Sequence, residues 1–241
     1  LNSTKNIRYC FNQAADSYDG QSYIQKQIGL CLIQSLLSHL TNATHIIDLG
    51  CGSGFTTLQL AKAIEYQSFA AIDIADQLLT KAENRLNPYG VDVYAADFDN
   101  LSTSKQFNLI FSNMALHWGL QFAKTLHSLT TQLAANGVIA FSIPLTYTFQ
   151  ELPSRSRNVF YDLKKIKTML EKLNLSLLNS DEDYLVATFN SMLAALRSIK
   201  ASGANYLMSH TSSRLNKTQL TKLQTFDLTY HVGYFVAKKN D

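Results

Sequence analysis

The nonamer "IIDLGCGSG", Ile46 to Gly54, holds the densest chemistry in this sequence. Glycines at Gly50, Gly52 and Gly54 let a backbone turn pass close to a ligand, and a helix opening just after them would offer unpaired N–H groups and a positive dipole end. A dinucleotide turn, G-x-G-x-x-G, would need its third glycine where this chain has the bulky Phe55. Pyrophosphate is therefore disfavoured. Asp48, just ahead of the turn, adds negative charge that suits an ammonium or a set of amide donors better than a phosphate. Far downstream, "ALRSIKASGANY" puts Arg197 and Lys200 one helical turn apart ahead of Gly203. By themselves they are the solvated margin of a helix whose apolar face is Met192, Leu196 and Ile199.

These groups need a scaffold, and the periodicity supplies one. A helical N-terminal region runs to about Leu40, and the short apolar run "THIIDLG" reads as a buried strand entering the glycine turn. A helix from Phe55 to Ile64, the strand "SFAAIDI", a helix from Gln77 to Leu86 and the strand "VDVYAADF" follow. Then come "FNLIFSNM", a helix from Gln121 to Leu133, a turn at Asn136 and Gly137, and "GVIAFSI". Strands alternating with helices imply a mostly parallel sheet covered on both faces. Beyond Pro144, helices are expected at Leu163 to Leu173 and Ser191 to Ser202, with "DYLVATF" and "FDLTYHVGYFVAKK" as a closing antiparallel pair. The pieces at 147–165 and 204–224 are expected to cover the carboxyl edge of the sheet.

Bulk properties exclude several classes. Of 241 residues, 46% are hydrophobic and 16% charged, with 3 prolines, which argues against disorder and repeats. No apolar run approaches the ~20 residues that cross a bilayer, and "LNSTKNIRYCFNQAADSYD" lacks a secretory apolar core, so a cytoplasmic protein without membrane partners is expected. Cys10, Cys31 and Cys51 have neither disulfide nor zinc spacing. The net charge of +3 is too small to imply nucleic acid. The segment from Glu151 to Lys172 does carry six cations (Arg155, Arg157, Lys164, Lys165, Lys167 and Lys172) against three acids (Glu151, Asp162 and Glu171). Such an excess is either a solvated face or a surface for an acidic partner.

The turn resembles motif I, D-x-G-x-G-x-G, of the class I S-adenosylmethionine-dependent methyltransferases. That resemblance implies an α/β, Rossmann-like fold with a seven-stranded, mostly parallel sheet, an antiparallel C-terminal edge and a helical lid. One domain is expected, with a lid at 1–42, a cofactor-binding core at 43–145, and substrate-lid insertions and closing strands at 146–241. It also implies S-adenosyl-L-methionine as cofactor. Asp73, 19 residues after Gly54, would hold the ribose hydroxyls with Ile74 beside it, since a carboxylate accepts from both at once. Asp97 would meet the adenine amino group with Phe98 against the ring, and the Ser112, Asn113 and Met114 backbone would lie under the methionine half.

Four segments narrow the resemblance to the malonyl-acyl-carrier-protein O-methyltransferases of the biotin pathway, the BioC family. "FNQAADSYDGQSYIQ" is similar to that family's F-x-x-A-x-x-Y-D-x-x-A-x-x-Q, "SNMALHW" to S-N-L-A-V-Q-W, "LRSIKASGA" to L-R-x-I/L-K-x-x-G-A, and "LTYHVGYFVAKK" to its closing strand. Three departures stand out: "LAANGV" replaces a lysine-proline-glycine turn, His117 replaces a glutamine, and Gly119 follows Trp118. The resemblance implies methylation of the free carboxylate of a malonyl thioester on acyl-carrier protein or coenzyme A. An already ionised carboxylate needs no general base. Arg197 would pair with that carboxylate, Lys200 would raise the local potential, and Tyr18, His117 and Trp118 would close and wall the site. The cations from Arg155 to Lys172 would meet the carrier. Rival readings are a class I methyltransferase acting on another small acid or phenol, and a non-catalytic protein that binds the same cofactor.

Overall fold

The computed structural model describes residues 2–101, 103, 105–208 and 224–240. Ile7, Phe11, Ala14, Ala15 and Tyr18 recur at helical spacing, and α1 (Asn2–Gln21) turns that stripe inward, burying Ile7, Ala14 and Ala15. In α2 (Tyr23–Leu37) the buried set is Ile28, Leu32, Ile33 and Leu36, which join the main core. The expected N-terminal lid thus divides: α2 packs against the sheet, while α1 roofs its carboxyl edge.

The chain then alternates through β1 (Asn42–Leu49), α3 (Phe55–Ala63), β2 (Glu65–Asp73), α4 (Asp76–Leu86), β3 (Val91–Ala95), β4 (Phe107–Asn113), α5 (Phe122–Gln132) and β5 (Leu133–Pro144). It closes with α6 (Leu163–Lys172), β6 (Leu175–Phe189), α7 (Met192–Ala201) and β7 (Phe226–Lys239). The seven strands lie in the order β3-β2-β1-β4-β5-β7-β6. The first five are parallel, and β7 runs antiparallel to both neighbours. Alternate residues feed two cores. Ile46, Leu109, Phe111 and Ala140 face α2, α3, α4 and α7. Ile47, Leu49, Ile110, Ile139 and Phe141 face α5 and α6. The strand order reverses between β1 and β4, which opens a crevice at their carboxyl ends, where open α/β sheets bind ligands.

Two elements differ from the expectation. Asn136 and Gly137 make a bulge inside β5 instead of a turn before it: Asn136 has φ 59°, and the pairing jumps from Phe107↔Leu133 to Leu109↔Val138. β6 begins at Leu175 instead of Asp183. Its early half is an edge strand laced with Asn179, Asp181 and Glu182 and shifted in register between Leu177 and Asn179, which interrupts the two-residue alternation. The segment 147–165 covers the carboxyl edge as expected, apart from its start of α6; of 204–224, positions 209–223 lie outside the described residues. Among the described residues, no helix is long and apolar enough to cross a membrane.

Candidate active site

The glycine turn is built by β1 delivering Leu49 into three left-handed residues, Gly50 (φ 75°), Gly52 (φ 55°) and Gly54 (φ 78°). At Gly50 a Cβ would stand 2.3 Å from the Ala115 Cβ, so a side chain would break the contact between the turns after β1 and β4. At Gly54 it would stand 2.9 Å from Leu86 Cδ1, so the glycine lets α3 start tight against α4. The turn borders a cavity of about 330 Å³ whose lining includes Tyr18, Asp48, Gly50, Gly52, Asp73, Ile74, Asp97, Phe98, Asn113, His117 and Trp118. These are the sequence-derived cofactor and positioning residues, brought together from five different segments; Gly54 supports the turn from behind.

The acids differ in what they can still do. Asp73 accepts the amide hydrogens of Gly52 at 2.8 Å and Ala75 at 2.9 Å, one on each oxygen. Its remaining lone pairs border the cavity, in keeping with a role toward two hydroxyls. Burial raises its pKa, while the amide bonds pull the other way. Asp48 is buried; its Oδ2 accepts from the Thr57 hydroxyl at 2.6 Å, and its Oδ1 has no partner among the described residues. Burial pushes its pKa up to about 7, opposed by the Thr57 bond and helped by the nearby Asp73 charge. Asp97 caps the short turn after β3, accepting from the Asp99 amide and the Asn100 side chain at 2.9 Å each. Asp99, which the sequence reading passed over, ties that turn to α5 through the Thr125 hydroxyl and the Leu120 amide.

Asn113 lines the cavity at the end of β4, and its side chain is engaged within the protein. Its amide donates to the Gln25 carbonyl at 2.9 Å and its oxygen accepts from the Ser142 hydroxyl at 2.8 Å, so it joins β4 to α2 and β5. Only its place on the cavity wall matches the cofactor role. Met114, next in the chain, has φ 54°, which bends the backbone away from the sheet.

Aromatic rings make the other wall. Phe11 meets Tyr18 and Trp118 edge-on, with centroids at 6.4 and 5.7 Å. His117 packs on Trp118 at 4.8 Å and on Phe160 at 5.7 Å. Burial alone lowers the His117 pKa to about 3, so the imidazole is neutral at physiological pH, and its Nδ1 has no hydrogen-bond partner among the described residues. Tyr18 leans over the turn, its hydroxyl 3.0 Å from where a Gly52 Cβ would be; burial, with nearby acids, keeps its phenol protonated. The end of α1 is latched by Asp19, which accepts from the Ser53 hydroxyl at 2.5 Å and from Arg85 at 2.8 Å. Periodicity revealed the α1 stripe, but it gave no sign of this latch.

Arg197 and Lys200 do not reach the cavity. Both are exposed on α7, because the inward face of that helix is set by Ala195 and Ile199, and it is Leu196 and Ile199 that line the cavity. The cations that do line it, among the described residues, are Lys26 and Arg157.

Six buried side-chain polar atoms lack a partner among the described residues, and four of them, Ser22 Oγ, Gln25 Oε1, Asp48 Oδ1 and His117 Nδ1, belong to residues of this cavity. Buried polar atoms are costly unless satisfied, so such a concentration marks where a polar ligand belongs. Asp48 and Gln25 offer acceptors to an ammonium, Asp73 offers acceptors to vicinal hydroxyls, and Phe98 offers a face to a base; the residues fit S-adenosylmethionine.

The fold and this site define an S-adenosylmethionine-dependent methyltransferase of class I. Residues 40–191 match the family described as Methyltransferase domain. The magnesium protoporphyrin IX methyltransferase of Synechocystis, solved with its cofactor bound, superposes with a TM-score of 0.63 at 12% identity, covering 100% of this chain and 98% of its own. A Bacillus halodurans methyltransferase gives 0.63 at 15% identity over 88% of this chain and 99% of its own. A malonyl-[acyl-carrier protein] O-methyltransferase of Coxiella burnetii is 39% identical over 98% of this chain and 96% of its own length. One from Ilyobacter polytropus is 24% identical over 98% and 94%. The chain belongs to the malonyl-[acyl-carrier protein] O-methyltransferase family.

Proposed function

We propose that the protein transfers the methyl group of S-adenosylmethionine to the free carboxylate of a malonyl thioester carried on acyl-carrier protein, an early step of biotin synthesis. The observation that carries this reading is the end-to-end likeness to the Coxiella burnetii malonyl-[acyl-carrier protein] O-methyltransferase. The chemistry of the cavity supports it.

S-adenosylmethionine supplies a methyl group activated by the positive charge on its sulfur. The protein's own residues bind, orient and exclude water. Asp73 and Asp97 would hold the adenosine end, and Asp48 with Gln25 the methionine end, around the glycine turn. His117 is neutral and no carboxylate–histidine pair forms in the cavity among the described residues, which suits an acceptor that is already ionised. Phe11, Trp118 and Phe160 close an apolar wall that keeps water from both charges before they meet. The contribution of the site is alignment and desolvation.

For the carrier, Lys164 and Lys165 are exposed on α6 with Lys167 partly so, and Arg197 and Lys200 are exposed on the outer face of α7. We assign both groups to the acidic carrier and the phosphate of its arm, with coenzyme A as the smaller acceptor that bears the same thioester. Label from methyl-labelled S-adenosylmethionine should enter malonyl but not acetyl thioesters. Label in a phenol or another acid instead would favour a different acceptor, and cofactor binding without any transfer would favour a non-catalytic role.

A further inference from the structure

The cavity is chemically polarised along the sheet edge. Its acids come from one side: Asp48 from β1, Asp73 from β2, and Asp97 and Asp99 from the turn after β3. Of its two cations among the described residues, Lys26 lies on that same side and is engaged, with its ammonium on the Asp19 carbonyl at 2.6 Å and over the Phe55 ring at 4.9 Å. Arg157 is on the other side. Its guanidinium reaches the Thr148 carbonyl at 3.5 Å, and Thr148 is fastened to β7 by its hydroxyl, which donates to the His231 carbonyl at 2.7 Å. β2, which ends in Asp73, and β7, to which the Arg157 segment is fastened, are separated in the sheet by β1, β4 and β5. Among the described residues Arg157 forms no ion pair.

A half-buried guanidinium that forms no ion pair among the described residues, on the side of the cavity away from its acids, calls for an anion. Three residues on, Phe160 packs against His117, whose Nδ1 is the unpartnered polar atom of that wall. We infer that Arg157 is the specificity residue of the acceptor site: it binds one oxygen of the terminal carboxylate of a dicarboxylic half-thioester and leaves the other free for the methyl group, with His117 as the neighbouring polar contact. This rests on the methyltransferase reading above and names the residue that selects its substrate. A single charge-assisted hydrogen bond fixes the carboxylate, while a two-oxygen grip would draw off the nucleophilic lone pair. The neighbouring Asn158 holds the segment in place, donating to the Tyr206 carbonyl at 3.0 Å and accepting from the Met208 amide at 2.8 Å.

The test uses the full chain with S-adenosylmethionine, malonyl-carrier protein as acceptor and acetyl-carrier protein as a competitor that lacks the carboxylate. Methyl ester formation by the unmodified protein comes first; its absence refutes the function itself. Given that activity, Arg157→Met should raise KM for malonyl-carrier protein by about tenfold or more and lower kcat as the acceptor oxygen loses its alignment, with the calorimetric affinity for S-adenosylhomocysteine close to unchanged. The inhibition constant of acetyl-carrier protein should stay the same, so discrimination between the two thioesters collapses. Arg157→Lys should recover part of it. An unchanged KM, or equal weakening of both thioesters in Arg157→Met and Arg157→Lys, overturns the assignment while leaving the function standing.

Discussion

The Asp73 carboxylate accepts the Gly52 amide hydrogen at 2.8 Å, so the acid that ends the second strand is tied to the glycine turn that ends the first. With the Ala75 amide on its other oxygen, Asp73 is fixed before any ligand arrives. Asp73→Asn keeps one acceptor but sets an NH2 group against a backbone amide. It should weaken S-adenosylmethionine binding by about 10- to 100-fold, the loss expected for hydrogen bonds to a charged group, and lower the melting temperature of the cofactor-free protein. Calorimetry and thermal unfolding read the two effects separately.

Asp48 is a proton reservoir. Burial holds its pKa near 7 in the cofactor-free cavity, and a cation placed beside it should bring the value down. Binding of S-adenosylmethionine at pH 6.5 should therefore release a fraction of a proton. S-adenosylhomocysteine, which lacks the sulfonium charge, should release less, and Asp48→Asn should release none from this position. Calorimetry in buffers of different ionisation enthalpy measures this directly; equal proton release by the two ligands would remove Asp48 from the sulfonium's surroundings.

His117 should contribute to acid instability without shaping the pH profile of catalysis. Its pKa is about 3 when folded and near 6.5 when unfolded, so the unfolded chain binds the extra proton. The stability it contributes is complete above pH 6.5 and is lost as pH falls toward 3. The melting temperature of His117→Gln relative to the unmodified protein should rise steadily from pH 7 to pH 4. Between pH 6.5 and 8.5, no His117 ionisation should appear in kcat/KM.

The Asp19–Arg85–Ser53 latch should govern how firmly α1 covers the site. Its ion pair is only partly buried, with side-chain exposures of 26% for Arg85 and 31% for Asp19, so its intrinsic worth is modest, about 1 kcal/mol. Arg85→Met should weaken cofactor binding about threefold to tenfold and increase proteolysis within residues 2–21. No change in either would mean that the stripe from Ile7 to Tyr18 holds α1 by itself.

The proposed docking to the carrier should be separable from chemistry. Reversing Lys164, Lys165 and Lys167 to Glu should reduce kcat/KM on malonyl-carrier protein far more than on malonyl coenzyme A, with the deficit growing at low salt. Equal losses on both acceptors would refute the docking role.

Local signals made the cofactor half legible. Asp48, the three glycines and Asp73 follow from a strand, a turn and a second strand, and each lines or supports the cavity. The side-chain partners of Asn113 were not legible, because a strand-end position says nothing of them: Gln25 and Ser142 lie 88 and 29 residues away in sequence. The acceptor side was the least legible. The apolar spacing of α7 already set Arg197 off the inward face, yet its type and motif suggested a carboxylate clamp. Arg157 lines the cavity from a segment whose Thr148 is fastened to β7, a contact spanning 83 residues that no local pattern reveals. The full length of β6 was obscured in the same way, since an edge strand is stabilised by its partner β7 more than by a hydrophobic pattern of its own.

Methyl transfer to the malonyl carboxylate is tested most directly by the intact mass of malonyl-carrier protein after incubation with the protein and S-adenosylmethionine. The expected result is a gain of one methylene, with acetyl-carrier protein unchanged. A malonyl-carrier protein of unaltered mass, with S-adenosylmethionine binding retained, would contradict the assigned reaction.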